Sequence, residues 1–302
     1  MLAPIVIFAF NRPEAFSRLI NSLSRNNLFS ESEKYVYIDG CRDDRDQEKV
    51  SQTIELAKAV TPNVVVSLKN RGLGTSIISG VTEILSKYDK VIVLEDDLYC
   101  APGFLMYMNQ GLDFYRDDHR VISVCGYGLK IRKPENYYAG VYLSNRSSSW
   151  GWATWKDRWQ NIDWKITDWE DLKDSKKLQR QFNAGGSDMY GMLRAYMEGK
   201  NQSWAIRFCY NQFEQKLFSV HPFESLVDNK GFGEGATNCK QEYSRFFAEV
   251  DETDCEQILR SGDNYFKFSD DIVPDKRILS QLRAYHSIKA RIYSKLRNIL
   301  NV

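Results

Sequence analysis

Three consecutive acidic residues end an apolar run of this chain. In Lys90-Val-Ile-Val-Leu-Glu95-Asp96-Asp97-Leu98, residues typical of a β-strand lead directly into the carboxylates. Adjacent carboxylates repel one another, so a fold seldom places them at a strand end unless a cation or the donors of a ligand compensate the charge. Hard divalent cations take oxygen ligands and suit bound phosphates. The motif therefore predicts a metal site, with a solvated acidic turn as the alternative.

Polar residues also follow three other predicted strands. They are Asn11-Arg12, Asp39 and the loop Asn70-Arg71-Gly72-Leu73-Gly74. Arginines and backbone amides near glycines can hold a diphosphate, and an aspartate can accept the imide N–H of a uracil. Together with the acidic triplet these residues predict a nucleotide-sugar pocket at one edge of a sheet, although the 70–74 loop by itself is more typical of a simple turn into a helix.

The elements that must position these residues alternate between buried-strand runs and amphipathic helices. We predict strands at Pro4–Phe10, Tyr35–Ile38, Asn63–Leu68 and Lys90–Leu94, and helices at Pro13–Asn26, Asp43–Val60 and Thr75–Tyr88. Such alternation implies βαβ units with right-handed crossovers. The fold class is therefore α/β, with a doubly wound, mostly parallel, Rossmann-like sheet.

The middle of the chain is rich in tryptophan. Helices are predicted at Pro102–Tyr115 and Met189–Glu198, and strands at Val121–Cys125 and Tyr137–Leu143. Between the second of these strands and the C-terminal third lie all seven tryptophans of the chain, which either fill a packed core or present flat faces to a sugar. For Trp150 and Trp152 we keep a place in the donor pocket as the functional alternative. The seven are Trp150, Trp152, Trp155, Trp159, Trp164, Trp169 and Trp204.

The C-terminal segment is basic and amphipathic. Apolar residues recur there at three- and four-residue spacing, with Lys and Arg between them, which predicts one helix within 276–302. It either docks on the domain with a solvated basic face or lies on a membrane surface. We divide the chain into a domain of residues 1–275, with a nucleotide-sugar half (1–120) and an acceptor half (121–275), and the helix 276–302.

Composition narrows the class of protein. The chain has 302 residues, 43% hydrophobic, and a formal net charge of +1, which is typical of a soluble globular protein and argues against a nucleic-acid partner. Its six cysteines show no CxxC spacing, so we expect reduced thiols. The N-terminus lacks a basic region before its apolar run, and no run reaches the roughly 18 apolar residues of a membrane span. We expect a cytoplasmic protein, either free or peripheral on the inner face of the membrane.

With these residues in view, the chain resembles glycosyltransferases of the GT-A fold. It resembles in particular the N-acetylglucosaminyltransferase family that begins complex N-glycan branching, and it is similar to bacterial family 2-type sugar transferases. The resemblance spans roughly residues 3–240. The matching segments are Ala9-Phe10-Asn11-Arg12, Asp39, Gly72-Leu73-Gly74, Val93-Leu94-Glu95-Asp96-Asp97-Leu98, Ala101-Pro102-Gly103-Phe104 and Ser149-Trp150-Gly151-Trp152.

The resemblance implies a role for each of these residues. Asp97 would be the direct ligand of Mn²⁺ or Mg²⁺, Asp96 would contact the ribose, and Glu95 the donor sugar. Arg12 would lie near the nucleotide, and Asp39 would pair with the uracil edge. An inverting displacement also needs one carboxylate to deprotonate the acceptor hydroxyl.

For that base we nominate Asp188. It lies in Ser187-Asp188-Met189-Tyr190, where the family has an acidic pair before a helix, and the match rests on one acid. The alternative is that Asp188 is only a helix N-cap. Glu214 is a second candidate, and Glu234 in the Gly231-Phe-Gly-Glu-Gly235 loop is a third.

We therefore expect a metal-dependent, inverting glycosyltransferase that moves a sugar from a UDP-linked donor to a glycan or lipid-linked glycan, in bacterial surface polysaccharide synthesis. One alternative is a catalytically silent nucleotide- or glycan-binding protein. Another is a nucleotidyltransferase, which would be expected to carry a basic, glycine-rich loop after the first strand, where this chain has Asn11-Arg12-Pro13.

Overall fold

A computed structural model describes residues 1–231, 246–261 and 265–300 of the chain, with side chains up to Arg297. The strands are β1 Ile5–Ala9, β2 Lys34–Ile38, β3 Val64–Val66, β4 Lys90–Glu95, β5 Leu98–Cys100, β6 Val121–Cys125, β7 Val141–Ser144, β8 Trp152–Trp155, β9 Phe218–Pro222 and β10 Val227–Asn229. The helices are α1 Pro13–Leu23, α2 Gln47–Val60, α3 Leu73–Lys87, α4 Phe104–Phe114, α5 Lys156–Gln160, α6 Trp169–Asp174, α7 Lys176–Phe182, α8 Met189–Met197, α9 Trp204–Glu214, α10 Cys255–Ser261, α11 Lys276–Tyr285 and α12 Ile288–Leu300.

One mixed sheet runs through both halves of the chain. Within the described residues it has eight strands in the order β3-β2-β1-β4-β8-β6-β9-β7. The first four are parallel to one another, β8 runs antiparallel to β4 and β6, and β9 is again parallel to β6. The predicted α/β class with a mostly parallel sheet is confirmed. The sheet also crosses the predicted boundary at residue 120.

Burial explains why the first strands form. All five residues of β1 are buried, as expected for a central parallel strand covered on both faces. Helix α1 begins with Pro13 in its first turn and turns Phe16, Leu19 and Leu23 into the core. Helix α3 covers the other face of the sheet through Ile77 and Val81. Helices on both faces of the sheet therefore hold the ends of these strands in place.

Two predicted elements differ from the structure. The strand predicted at Tyr137–Leu143 is confined to β7, because residues before Val141 form a loop in which Asn136 has a positive φ of 61°. The single C-terminal helix is two helices, α11 and α12. The break falls at His286 and Ser287, where the Ser287 hydroxyl accepts the N–H of Ala290 at 3.1 Å and so caps α12.

No helix in the described part of the chain combines the length and the apolarity needed to cross a bilayer. Cys41, Cys100, Cys125, Cys209 and Cys255 are free thiols, and Cys239 lies outside the described residues.

Candidate functional site

The C-terminal ends of the parallel strands gather the predicted polar residues. In the sheet register Phe8 of β1 lies opposite Glu95 of β4, and Ala9 lies opposite Ile38 of β2. Arg12, Asp39 and the 95–97 acids therefore follow these strands at one edge of the sheet. Ligands of open α/β sheets bind at this edge.

Arg12 is the cation that pairs with the acidic triplet. Its Nη1 donates to Oδ2 of Asp97 at 3.0 Å, and its Nη2 forms a short ion pair with Oδ1 of Asp96. The other oxygen of Asp96 accepts the backbone N–H of Phe10 at 3.2 Å. Both oxygens of the buried Asp96 are thus used within the protein, and Asp96 fixes the turn after β1.

Asp97 differs from Asp96 because one of its oxygens is free. Oδ1 of Asp97 is buried and has no hydrogen-bond partner among the residues that the structure describes. Gly231 packs directly against this carboxylate, so that a Cβ at this position would overlap it. The approach is held by the backbone, since the N–H of Lys230 donates to the Asp97 carbonyl at 2.8 Å. Burial of such a carboxylate oxygen is costly unless a water molecule, a cation or a ligand pairs with it.

Burial and mutual repulsion raise the pKa values of Glu95 and Asp96, the two acids that precede Asp97. Burial raises the pKa of Glu95 to about 8, and the charges of Asp97 and Asp96 add to the effect. Burial also raises the pKa of Asp96 to about 6, although Arg12 opposes the change. The site therefore holds more negative charge than the protein itself compensates once Glu95 ionises.

The metal-ligating oxygens that the protein offers here fit a divalent cation that takes most of its ligands from a substrate. No group of three or more His, Cys, Asp or Glu side chains in the described residues forms a metal-binding cluster. Among the described residues of this edge, Oδ1 of Asp97 is a buried carboxylate oxygen that is available to a metal. Mg²⁺-like ions are commonly bound by one or two carboxylates together with substrate phosphates and water.

Asp39 organises the 70–74 loop. Its Oδ1 accepts the N–H groups of Arg71 at 2.8 Å and Gly40 at 3.0 Å, and its Oδ2 accepts that of Gly72 at 2.9 Å. Gly72 has a φ of +78°, which favours glycine, and α3 begins at the next residue. Asp39 thus fixes the backbone of the loop that carries the exposed Arg71 and leads into the N-terminus of α3. The sequence analysis predicted that Asp39 pairs with the uracil edge, and it did not indicate that Asp39 holds this loop.

A cavity of about 310 Å³ lies among residues 127–286. Trp150 lines it and makes an edge contact with Tyr127 at 4.6 Å between ring centroids. The cavity lies on the acid side of the sheet, because β8 begins opposite Val93, two residues before Glu95, and the 147–151 loop leads into β8. Helix α11 contributes Leu279 and Leu282 to the wall.

His221 lies buried in the wall of this cavity. Its Nδ1 lies 2.9 Å from the carbonyl of Tyr127, and its Nε2 lies 3.1 Å from that of Arg146. Carbonyl oxygens only accept, so this geometry fits the doubly protonated ring. Burial alone would lower the pKa of His221, but Cys125 and the two carbonyls raise it above its ordinary value.

Asp188 pairs with an arginine in the wall of the cavity. Nη1 and Nη2 of Arg146 donate to its two oxygens at 2.9 and 3.2 Å. Asp188 occupies the N-cap position of α8, yet its side chain makes no capping hydrogen bond. Although burial opposes ionisation, Arg146 holds the pKa of Asp188 below its usual range.

Trp152 is a core residue and lines no part of the cavity. Its indole is 1% exposed and stacks on Trp204 at 4.8 Å and on Trp159 at 5.7 Å between ring centroids. This corrects the placement of Trp152 in the donor pocket. The core interpretation of the tryptophans holds for these three rings, and Trp150 is the one that reaches the cavity.

Glu214, the second candidate base, is not brought to the site. Glu214 ends α9, four residues before β9 begins at Phe218, so it lies at the opposite edge of the sheet from the acids. Glu234 lies outside the described residues. Sequence reasoning missed Arg146 and His221, and it named Gly231 only as part of a loop. A lone arginine or histidine carries no spacing signal.

Comparisons with known proteins give similarity to solved structures. No protein-family model matches the chain, and no curated protein matches it. A structure of S. aureus TarS, residues 1–349, has a TM-score of 0.43 and 13% identity, covering 76% of this chain and 61% of that one. A structure of GalNAc-T7 with UDP, GalNAc and Mn²⁺ has a TM-score of 0.48 and 11% identity, covering 76% and 43%.

A third similar structure is the mannosyltransferase PcManGT from Pyrobaculum calidifontis in complex with GDP-Man and Mn²⁺. Its TM-score is 0.35 at 12% identity, covering 52% of this chain and 46% of that one. The chain thus spans between 43 and 61% of the length of these three proteins. At such identities and scores the likeness assigns no activity and no residue.

Proposed function

We propose that this protein is a metal-dependent, inverting glycosyltransferase that moves a sugar from a nucleoside diphosphate, UDP in the first instance, to a glycan acceptor. One observation carries the proposal. The buried, unpartnered Oδ1 of Asp97 lies at the sheet edge to which Arg12 and the Asp39-held loop also belong. A metal-bound diphosphate is the ligand that uses all three features.

The donor would lie across this edge. Arg12 and Arg71 bring positive charge, and the N-terminus of α3 presents backbone N–H groups to a phosphate. Asp97 would hold the metal, which when bound supplies Lewis-acid stabilisation of the departing diphosphate. Asp96 has both oxygens engaged by Arg12 and Phe10, so we assign it to positioning Arg12 and not to the ribose.

The acceptor would enter the cavity beside Trp150. Asp188 takes the proton of the attacking hydroxyl, whose oxygen bonds to the anomeric carbon while the bond from that carbon to the diphosphate oxygen breaks. The electron pair of the broken bond stays on the diphosphate. Arg146 fixes both oxygens of Asp188 and keeps the carboxylate ionised before the transfer.

The test measures both binding and turnover of the donor. The purified chain is melted with UDP, GDP, CDP or dTDP, each with and without Mn²⁺, and then incubated with the matching nucleotide sugars. We expect Mn²⁺-dependent stabilisation by one nucleotide and slow release of its sugar, with release lost in Asp97→Asn. The expected anomeric inversion is read by NMR once an acceptor is found.

Two outcomes would overturn the proposal in favour of the alternatives. Stabilisation by a nucleotide with no sugar release from any donor points to a binding protein. Formation of a nucleotide sugar and pyrophosphate from a sugar 1-phosphate and a nucleoside triphosphate points to a nucleotidyltransferase. The role in bacterial surface polysaccharide synthesis is part of the same proposal, and a gene-deletion strain that keeps its surface glycan would contradict it.

A further inference from the structure

Helix α12 turns its polar side to the protein and its apolar side outward. Ser294 is buried at 8% exposure, and Nη2 of Arg291 donates to the hydroxyl of Ser187 at 3.1 Å. The exposed side carries large apolar side chains. These are Ile288, Ile292, Tyr293 and Leu296, exposed to 59%, 53%, 62% and 50%.

This orientation is the reverse of that of an ordinary surface helix, which buries its apolar stripe against the core. At 3.6 residues per turn, positions 288, 292 and 296 lie one above another. The exposed Lys289 and Lys295 lie on the same side of the helix. We call this surface, formed by Ile288, Lys289, Ile292, Tyr293, Lys295 and Leu296, the outer face of α12. The contacts of α12 with the described residues of the protein leave that apolar surface exposed.

The charge of the whole segment indicates what covers it. Residues 276–302 contain seven Lys or Arg residues and no Asp or Glu. Long basic side chains beside an exposed apolar stripe extend to lipid head groups while the apolar side chains enter the acyl boundary. Each cation near an anionic surface adds to the attraction.

We propose that the outer face of α12 binds the surface of a bilayer that contains anionic phospholipid, with the helix axis in the plane of the membrane. The helix follows directly on α11, whose Leu279 and Leu282 line the acceptor cavity. If the proposed glycosyltransferase function also holds, the membrane lies on the acceptor side, and the acceptor class becomes a lipid-linked glycan.

The test uses the full chain and vesicles without any substrate. Co-sedimentation is measured with vesicles of phosphatidylcholine alone and with vesicles in which about a third of the lipid is phosphatidylglycerol. We expect about tenfold stronger partitioning onto the anionic vesicles at low salt, and loss of that difference at high salt. The variant Ile292→Ser/Leu296→Ser should reduce the partitioning by about tenfold or more.

A matched control removes exposed apolar side chains elsewhere. Leu259 and Val273 are 55% and 69% exposed and lie outside α12, so Leu259→Ser/Val273→Ser should bind vesicles as the wild type does. Since all four side chains are exposed, both double variants should keep the wild-type melting temperature, which is checked first. A Lys289→Glu/Lys295→Glu variant supplies an independent loss of the anionic preference.

Three results would overturn the proposal. The first is that wild type fails to bind the anionic vesicles, and the second is that Ile292→Ser/Leu296→Ser binds them as well as wild type. The third is a lipid-free dimer of wild type that becomes a monomer in Ile292→Ser/Leu296→Ser, since a second copy would then cover the outer face. Failure of the glycosyltransferase proposal is separate, because donor hydrolysis in solution needs no vesicle.

Discussion

Arg12 donates from Nη1 to Oδ2 of Asp97 at 3.0 Å, while Oδ1 of that carboxylate is buried without a hydrogen-bond partner in the described part of the chain. One oxygen is therefore held by the protein and the other is kept for a ligand. The pairing also offsets part of the repulsion among three adjacent acids, since Arg12 contacts Asp96 as well. Arg12 thus orients the Asp97 carboxylate, and Oδ1 stays available to a cation. Substitutions of Arg12 and of Asp97 should therefore have different effects.

Asp97→Asn should remove the metal effect and leave the fold intact. The amide keeps the shape of the side chain but loses the charge that attracts a cation, so Mn²⁺-dependent stabilisation by the nucleotide should disappear. Sugar release should fall by about a hundredfold or more, the loss of several kcal/mol of charge stabilisation. Without metal the melting temperature should stay level or rise, because repulsion within the triplet falls. A full Mn²⁺ shift in the variant would place the metal elsewhere.

Arg12→Gln should destabilise the protein in a pH-dependent way. Asp96 loses its counter-charge while buried, which should cost about 3 kcal/mol of unfolding free energy at about pH 8. The pKa of Asp96 in the folded protein is about 6 and rises further in the variant. As the pH falls below that value the folded state takes up the proton first, so the deficit should shrink toward about pH 5.

Urea denaturation at the two pH values measures the effect of Arg12→Gln. Arg45→Gln is the control, because Arg45 pairs with Asp43 on the surface and its side chain is 89% exposed. It should leave the free energy of unfolding unchanged at either pH, because an exposed ion pair contributes little to stability. An Arg12→Gln deficit equal at both pH values would mean that Asp96 is not the group left unpaired.

Arg146→Lys should move the acid limb of the pH–rate profile. The Arg146 guanidinium lowers the pKa of Asp188, and lysine cannot reproduce its two parallel hydrogen bonds. The pKa of Asp188 should therefore rise, and the fall of kcat/KM on acidification should begin at a higher pH. Asp188→Asn should lose turnover and keep donor binding. An unchanged acid limb in Arg146→Lys, with Asp188→Asn still active, would return Asp188 to a structural role.

Gly231→Ala should disturb Asp97 without unfolding the chain. A Cβ at residue 231 overlaps the Asp97 carboxylate, so the carboxylate must move. We expect Mn²⁺-dependent nucleotide binding, measured by calorimetry, to weaken by about tenfold or more. Gly191→Ala is the matched control, since a Cβ in this turn of α8 meets nothing within 4 Å. It should stabilise the fold by about 0.5–1 kcal/mol and leave binding unchanged.

Substitutions of Trp150 and Trp152 should have different effects, because Trp150 lines the cavity and Trp152 lies in the core. Trp152→Ala removes a ring that is 1% exposed and should lower the unfolding free energy by about 3–5 kcal/mol. Trp150→Ala should raise the KM for the acceptor while donor hydrolysis and its Mn²⁺ dependence remain. Equal losses of stability in both variants would remove Trp150 from the acceptor site.

The first four sheet strands and the acid edge were predictable because parallel strands buried on both faces are nearly continuous apolar runs. Their ends mark the edge of the sheet, and Arg12, Asp39 and the 95–97 acids follow those ends directly. The pairing of Arg146 with Asp188 joins residues 42 apart in sequence and has no local signal. The same holds for Gly231 against Asp97, which depends on the pairing of β10 with β5.

The tryptophans and α12 show a second limit of prediction from the sequence, which concerns burial. Trp150 and Trp152 are two residues apart, yet burial separates them, because only Trp152 lies in β8 between β4 and β6. The periodicity of α12 predicts an amphipathic helix but does not state which face meets the protein. In the structure Ser294 is buried and the guanidinium of Arg291 contacts Ser187, whereas Ile288 and Ile292 are exposed.

The pairing of β4 with β8 has a mechanical consequence. These strands carry the acids and the tryptophan loop, and hydrogen bonds join them in register from Lys90 opposite Trp155 to Val93 opposite Trp152. The acid edge and the loop that carries Trp150 therefore belong to neighbouring strands of one hydrogen-bonded sheet, so a displacement of β4 is transmitted directly to the wall of the cavity.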